Sequence, residues 1–438
     1  MSANTTSADG VEKKRMHFVI AGGSLGGLAT GIALRELGHD TTILERDRNP
    51  LLHDQGAGIV AGGHSLEFLS KYNRCQRPVA IHSERRQYVD KDGNVVHSVN
   101  ANHNMTSWDL TYHILRANYD GVGSPYCDVP PPNPDHGMAI HMHDRTVTGV
   151  QKHGEGVCVS WRCTSDPSVT GTIAADRLIG ADGPNSFIRS LFVPNLGRKY
   201  AGYCALRGTV VEHEASDTAR ETFVDNFTFY HGPGIQILGY LIPGLNGTLE
   251  QGERLINFVY YTNFPEGSDA LNDIMTDAEG RRHRITVPPG TVDPKAWKRQ
   301  QELAVKHLPP QFAELMCKAK RPFVQAVTDV LSPENEFLDG RVVLIGDALA
   351  GFRPHTVAST SQAAFDAMIY ADYMAGEVPR DIWKRRTMGY ARFIHKRGVE
   401  MGNRSQHQLL PLEEYIRDRD EASIPIRGGA FPDWATEL

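Results

Sequence analysis

Three short groups of glycine and aspartate carry most of the chemistry in this chain: Gly22-Gly23-Ser24-Leu25-Gly26-Gly27, Asp182-Gly183-Pro184-Asn185-Ser186-Phe187-Ile188-Arg189, and Gly346-Asp347. Glycines at a turn let the backbone approach a pyrophosphate. The free N–H groups that open the following helix present that anion with a positive dipole end. An acidic side chain at a strand end is placed to accept hydrogen bonds from the hydroxyls of a ribose or ribityl chain. Any one of the three also fits an ordinary strand-to-helix turn with no ligand. In this order, spread from Gly22 to Asp347, they describe one FAD held by a domain that the chain leaves and re-enters.

The elements that must position them appear as short apolar runs. Residues 17–21 read as a buried parallel strand, 28–37 as an amphipathic helix and 41–44 as the next strand, a βαβ unit ending in Glu45 and Arg46. Glu45 stands where an acidic side chain accepts from a ribose hydroxyl, and Ser24 replaces the second glycine of G-x-G-x-x-G. The run 177–181 delivers Asp182, whose stretch matches D-G-x-x-S-x-x-R in full, and 342–346 delivers Asp347. Pro354 follows, then a helix from about Ser359. The N-terminus of that helix would face the pyrimidine edge of a flavin, where the reduced ring carries negative charge.

Together these motifs resemble the single-component FAD aromatic hydroxylases of the p-hydroxybenzoate hydroxylase type, over roughly residues 16–374. The strings Gly22-Gly23-Ser24, Thr106-Ser107-Trp108-Asp109, Tyr200-Ala201-Gly202-Tyr203, Arg207-Gly208, Ile242-Pro243-Gly244 and Arg353-Pro354-His355 are similar to the branch acting on dihydroxypyridines. Three departures stand out. Ser107 takes the place of an arginine near the pyrophosphate, and Ala350 that of a histidine after Gly346-Asp347. The loop from Pro354 to Ser361 lacks the glycines and the asparagine of relatives, which predicts a stiffer flavin loop.

The resemblance implies an α/β fold: a Rossmann-like FAD-binding domain interleaved with a β-sheet substrate domain, and a helical C-terminal part. It implies FAD contacts from Gly22, Ser24, Leu25, Gly27, Glu45, Arg46, Ser107, Asp182, Gly183, Gly346, Asp347, Pro354, Val357 and Ala358. With a single nucleotide fingerprint, NADH or NADPH would bind transiently, reduce the flavin and leave. Reduced flavin would then take O2 to a C4a-hydroperoxide that hydroxylates a small electron-rich aromatic or pyridine ring, 2,6-dihydroxypyridine-like. Such a ring reacts best with a hydroxyl ionised, so a base or acceptor is wanted nearby, and water must be excluded.

His355, Arg207 and Tyr240 are the expected catalytic groups, with His355, Tyr240, Asn257 and Tyr261 touching substrate. Arg207 resembles an arginine lining the mobile position of the flavin in that family. Each has a plainer reading, as a loop histidine bonded to backbone, a strand-end salt bridge or ordinary strand aromatics. Two other functions stay open: epoxidation or oxidative rearrangement of a larger natural product, and a catalytically silent FAD-binding regulator.

The expected FAD-binding segments are 13–84, 104–191 and 323–374, with 85–103 and 192–322 forming the substrate sheet. Strands are expected at 205–212, 227–230, 235–242 and 254–261, with a hairpin at 86–99 turning at Asp92-Gly93. Residues 375–438 give a helix around 381–396 and a polar tail, left either to cap the domain or to pack in a homodimer. Residues 1–15 read as a disordered leader.

With 438 residues, a net charge of −6, no basic run and no apolar stretch of membrane-spanning length, neither nucleic acid nor membrane is an expected partner. The six cysteines suit a reducing cytoplasm. Cys158 and Cys163 have the spacing of some flavin disulfide centres, but five residues apart on a strand they face opposite ways. His141 and His143 lack a third ligand, so no metal is expected.

Overall fold

The computed structural model describes residues 14–53, 58–407 and 410–421. Six strands form one sheet in the order Glu336–Phe337, Val342–Leu344, Arg177–Gly180, His17–Ala21, Asp40–Leu44, Ala139–Met142. All neighbours are parallel except the outer pair at Glu336–Phe337. Phe18, Val19, Ile20, Leu178, Ile179 and Val342 are buried, as strands covered on both faces must be. Parallel pairing sets Ala21 beside Gly180 and Gly180 beside Leu344, so the three glycine and aspartate groups emerge along one edge.

The first helix runs Leu25–Glu36, starting directly on the glycine turn and three residues earlier than expected. It is not amphipathic: between Leu25 and Leu34 only Gly26 escapes burial. The sheet lies beneath it, and the helices Ser359–Ala375 and Trp108–Asp120 pack on its remaining sides. A Cβ on Gly31 would stand 2.6 Å from the Tyr119 ring, which is how closely the helices approach.

The second sheet has nine strands in the order Thr286–Val287, Phe323–Leu331, Lys199–Val211, Leu255–Asn263, Ile235–Ile242, Asn226–Gly232, Ile81–Val89, Val95–Ser107, Gly58–Ala61, with Ala350–Gly351 as a tenth beside Phe323–Leu331. Pairing is antiparallel except between Asn226–Gly232 and Ile81–Val89. The hairpin turning at Asp92-Gly93 joins this sheet, and its two strands run through residues 84/85 and 103/104, where domain limits were expected. One face is closed by the helices Asp217–Phe223, Asp269–Ile274, Pro294–His307 and Pro310–Lys318 over Phe258, Phe223 and Phe312. The opposite face carries Tyr203, Phe227, Phe229, Tyr240 and Tyr261.

The helix expected around 381–396 extends over Arg380–Gln406. Its polar second half hides the helical signal, but Gly398 and Gly402 let it lie against Arg353 and Tyr203. A further helix, Leu412–Glu421, buries Tyr415 and Ile416 on the aromatic face, so this part caps its own chain. The expected leader up to residue 13 and the tail from 422 lie outside the described residues. All six cysteines are free, and Cys158 and Cys163 sit on the single strand Gly156–Cys163 without bridging. Among the described residues, no helix is long and apolar enough to cross a membrane.

Candidate active site

Gly22 takes φ +105°, and a Cβ there would stand 2.4 Å from the Ala181 oxygen. A Cβ on Gly27 would meet the Gly22 oxygen at 1.9 Å, so both positions require glycine. Gly27 therefore shapes the turn. Ser24 is the N-cap of the helix Leu25–Glu36 yet caps nothing with its side chain, which leaves the first-turn N–H groups without a side-chain acceptor. It lines a cleft of about 350 Å³ with Gly22, Glu45, Arg46, Asp182 and Gly183. The Glu45 carboxylate accepts from the N–H groups of Gly23 (2.7 Å) and Asp47 (2.8 Å). Each of its oxygens keeps a lone pair for a ribose hydroxyl.

Ser107 is used locally. Its hydroxyl caps the helix Trp108–Asp120 by accepting from Leu110 N–H (3.1 Å), and it lines none of the clefts described here. Trp108 faces the groove instead. A serine before a helix is first of all an N-cap, and that local use took its oxygen.

The Asp182 motif braces itself. Asp182 accepts from the Ser186 hydroxyl (2.5 Å) and the Ile188 N–H (3.1 Å), and Ser186 accepts from the Arg189 N–H (2.9 Å). Buried Arg189 reaches across to the third motif, donating to the carbonyls of Ala348 (2.7 Å) and Pro184 (2.8 Å). The serine and arginine of D-G-x-x-S-x-x-R thus tie the second and third motifs together. Gly183, at φ +78°, has open space on its Cβ side and lines the groove.

Behind the third motif, Asp366 accepts from the Gly346 N–H (2.9 Å), and the Gln362 amide donates to the Gly346 carbonyl (2.6 Å). Burial holds the Asp366 carboxyl well above the usual carboxylate range. Asp347 faces a groove of about 630 Å³ with Ser24, Leu25, Arg46, Gly183, Gly346, Ser359 and Thr360. Burial pushes its carboxyl up to about 6, opposed by Arg198 and a hydrogen bond with Ser359.

The helix Ser359–Ala375 begins after Ala358 with no side-chain cap. Just before it, Val357 is left-handed at φ +50°. A β-branched residue pays for that conformation, since its Cβ crowds the next carbonyl. Val357→Gly should raise the unfolding free energy by roughly 0.5–1 kcal/mol, because relief of strain outweighs the entropy glycine adds to the unfolded chain. Thermal unfolding of the flavin-free protein measures it, and a lower melting temperature would reject the strain.

The substrate side is a registered grid. Arg207 pairs with Val259, Val259 with Leu238, Leu238 with Phe229 and Phe229 with Tyr88. The next row sets Asn257 beside Tyr240, whose ring meets Phe227 edge-on at 5.1 Å, and Phe227 beside Arg86. On the other side Tyr261 pairs with Gln236 and Gln236 with His231. Alternate residues of each strand therefore floor one cavity of about 190 Å³, roofed by Pro354, His355, Val357, Ala358, Met401 and Tyr415.

Of the expected substrate residues, Tyr240, Tyr261 and His355 line this cavity with Arg207. Asn257 does not: it is fully buried, and its side-chain oxygen accepts from the Gly58 N–H (3.3 Å), positioning the strand Gly58–Ala61. The hydroxyls of Tyr240 and Tyr261 have no partner among the described residues, and burial raises both, that of Tyr261 to about 12. Arg207 Nε is buried without an acceptor among the described residues.

Both His355 nitrogens are engaged. Nε2 accepts from the Tyr203 hydroxyl (2.9 Å), and Nδ1–H donates to Gln236 Oε1 (2.9 Å). The Gln236 amide, turned this way, donates to His231 Nε2 and the Tyr415 hydroxyl, both at 3.1 Å. Burial, with the charges of Arg353 and Arg207, pushes His355 down to about 3. With both nitrogens engaged, the ring forms part of the cavity wall. Gln236, Phe227, Phe229, Arg86, Met401 and Tyr415 were not expected, because only the long-range strand pairing and the C-terminal helices bring them here.

The family described as FAD binding domain-like matches residues 200–329. The chain is 30% identical over 398 residues to 2,6-dihydroxypyridine 3-monooxygenase of Paenarthrobacter nicotinovorans, across 89% of this chain and 91% of that protein. The chain belongs to the FAD-dependent aromatic monooxygenases of the p-hydroxybenzoate hydroxylase type. This monooxygenase is also similar in structure to 2,6-dihydroxypyridine-3-hydroxylase from Arthrobacter nicotinovorans, with a TM-score of 0.77 at 27% identity over 90% of this chain and 94% of that one. Klebsiella pneumoniae HpxO, solved with FAD and uric acid, shares the fold at a TM-score of 0.67 and 18% identity, over 95% of this chain and 96% of that one.

FAD is the cofactor of this monooxygenase family, and the residues present fit it. The two larger spaces share Ser24, Arg46, Trp108, Ala181 and Gly183, and the second shares Gly58, Ile59, Arg207, Ser359 and Thr360 with the substrate cavity. One continuous groove thus leads from Glu45 to the aromatic grid.

Proposed function

We propose that this enzyme hydroxylates a small hydroxylated aromatic or pyridine ring, with 2,6-dihydroxypyridine the first to try. The cavity carries the reading. It is about 190 Å³, has Arg86 and Arg207 but no carboxylate among its lining residues, and opens onto the flavin groove. Pockets for drug-sized ligands run about 300–1,000 Å³, so this one favours a single ring over a bulky natural product.

In this reading Gly22, Ser24 and the open helix N-terminus hold the pyrophosphate with Arg46, and Glu45 holds the ribose. Asp182 and Asp347 lie along the ribityl side. Gly346 and the Pro354, Val357 and Ala358 loop border the flavin ring, with the Ser359–Ala375 helix N-terminus at its pyrimidine edge. When bound, FAD carries electrons from NADH or NADPH to O2 and supplies one oxygen atom to the ring.

Arg207 favours an ionised ring hydroxyl, since a cation a few ångströms away stabilises the anion. The raised hydroxyls of Tyr240 and Tyr261 stay protonated near neutral pH and donate to the ring's oxygens. Phe227, Phe229, Met401 and Tyr415 keep water away. Arg207→Met should lower kcat for ring hydroxylation about 100-fold, the scale of losing one fixed charge or donor at a reacting oxygen. A kcat within threefold of wild type, measured as hydroxylated product, would take Arg207 out of the reaction. A cytoplasmic setting is supported by the six free cysteines.

The test follows NADH and NADPH oxidation by the purified flavoprotein with 2,6-dihydroxypyridine, then with hydroxybenzoates, while peroxide is quantified. Fast oxidation, little peroxide and a hydroxylated ring support the reading. Peroxide alone rejects the ring used. No stimulation by any single ring sinks the proposal and points to a larger substrate.

A further inference from the structure

Two of the six cysteines meet inside the protein. Cys75 lies on the loop after the helix His64–Tyr72, and Cys127 on the loop after the helix Trp108–Asp120. Neither lines the flavin groove or the substrate cavity. Both are buried in one small cluster with Leu69, Leu110, Ile114 and Tyr126. Cys75 Sγ lies 4.0 Å from the Ile114 carbonyl oxygen, and Cys127 Sγ lies 3.5 Å from that of His113. Consecutive carbonyls of one helix thus hold the sulfurs side by side, and the two thiols are hydrogen-bonded to each other.

The pair is chemically unequal. The Cys127 thiol, the Asn118 amide that donates to Cys75 Sγ (3.2 Å) and the Arg77 cation hold the Cys75 thiol below its ordinary value, against the opposing effect of burial. Cys127 is pushed up by its neighbour Cys75 and by burial. A thiol that ionises readily beside one that stays protonated suits a two-step oxidation, in which the first sulfur reacts and the second resolves it. The other buried cysteines are placed differently. Burial pushes the Cys204 thiol up to about 12, and Cys163 donates to Asp144 (2.9 Å).

We propose that Cys75 and Cys127 are a redox modification site, joined into a reversible disulfide by hydrogen peroxide. The Cys75 thiolate attacks one peroxide oxygen, the O–O bond breaks, and hydroxide leaves and takes up the proton that Cys75 gave away. Cys75 is then a sulfenic acid. The Cys127 sulfur attacks it, the S–S bond forms as the S–O bond breaks, and the hydroxyl departs as water with the Cys127 proton. The two thiols lose one electron each, and peroxide is reduced to water. A flavin monooxygenase makes that oxidant itself whenever it reduces O2 without hydroxylating a ring. The sulfurs must close from hydrogen-bond contact to about 2.05 Å, and the loops that carry them can absorb the movement.

The experiment treats the FAD-loaded enzyme, reduced with dithiothreitol and freed of it, with hydrogen peroxide. Samples are quenched by alkylation and mapped by mass spectrometry without reduction. Wild type should yield a cross-linked pair of peptides holding Cys75 and Cys127, lacking both thiol hydrogens and separated again by dithiothreitol. The cross-link should form at least about tenfold faster than exposed Cys317 is oxidised, since each unit by which a thiol pKa falls toward the working pH raises its thiolate fraction about tenfold. In Cys127→Ser the cross-link should vanish and dimedone should label Cys75, whereas Cys317→Ser should cross-link at the wild-type rate.

Recovery of Cys75 and Cys127 as alkylated thiols after Cys317 has been oxidised overturns the proposal. So does oxidation of Cys75 to a sulfinic acid with Cys127 still alkylated, or a bond from Cys75 to any other cysteine. The wild-type map decides alone should Cys127→Ser fail to fold. Because peroxide is added directly, the result does not depend on which ring the enzyme hydroxylates.

Discussion

Asp347→Ala will purify with little flavin, yet its flavin-free form will melt above flavin-free wild type near neutral pH. Asp347 lines the groove together with Ser24, Gly183 and Ser359, so its loss removes an acceptor from the path proposed for the cofactor. A charged hydrogen bond of this kind is worth about 1.5–3 kcal/mol, or roughly 10- to 150-fold in FAD affinity. The stability effect has the opposite sign. Burial lifts the folded-state carboxyl to about 6, above its ordinary range near 4.

Between those values the folded chain holds the proton more tightly than the unfolded chain. Flavin-free stability is therefore complete below about pH 4 and falls as pH rises toward about 6, by up to about 3 kcal/mol. Alanine removes that slope. Flavin content per chain and melting of the flavin-free proteins at acid and neutral pH check both halves. Wild-type flavin content in the variant would take Asp347 out of the cofactor site.

Arg189→Ala should cost about 2–5 kcal/mol, since each carbonyl stripped of its donor costs roughly 1–3 kcal/mol. Arg189 spans the Asp182 and Asp347 motifs, holding Pro184 on one side and Ala348 on the other. Without it the buried Ala348 carbonyl and the half-buried Pro184 carbonyl lose their donors and a space opens between the loops. Flavin content should fall with stability, since the loops border one groove. Chemical denaturation compares the variant with wild type, and a difference below about 1 kcal/mol would mean that the loops are held elsewhere.

The parts of this protein written in local sequence were the easiest to read. Apolar runs ending in Gly22, Asp182 and Gly346 became adjacent parallel strands, because each run is short, buried and closed by a residue that permits a turn. The strands Asn226–Gly232, Ile235–Ile242 and Leu255–Asn263 followed from alternation. What the sequence hid depends on distant partners. Ser107 was read beside the cofactor, and its hydroxyl also caps the helix that follows it. His355 was expected at the substrate, but its partners Tyr203 and Gln236, 152 and 119 residues away, could not be read from the sequence. Asn257 was placed on the right strand, but Gly58 consumed its side-chain oxygen. Arg86 gave no signal, because nothing local to a hairpin says which cavity its side chains will floor. The long helix to Gln406 was cut short by its own polar residues, whose packing is visible only once Arg353 and Tyr203 stand beside it.

Met401 and Tyr415 complete the cavity wall, and both follow every flavin motif in the chain. During synthesis, the loops that gather the cofactor leave the ribosome before the helices that close the reaction chamber. In the proposed reading, a growing or cleaved chain that stops near residue 400 has every flavin motif but lacks two residues of the cavity wall. Such a fragment is expected to behave as an oxidase, spending reduced nicotinamide on peroxide. On that reading, closing the chamber with late residues would restrict productive oxygen chemistry to chains that have been made through Tyr415.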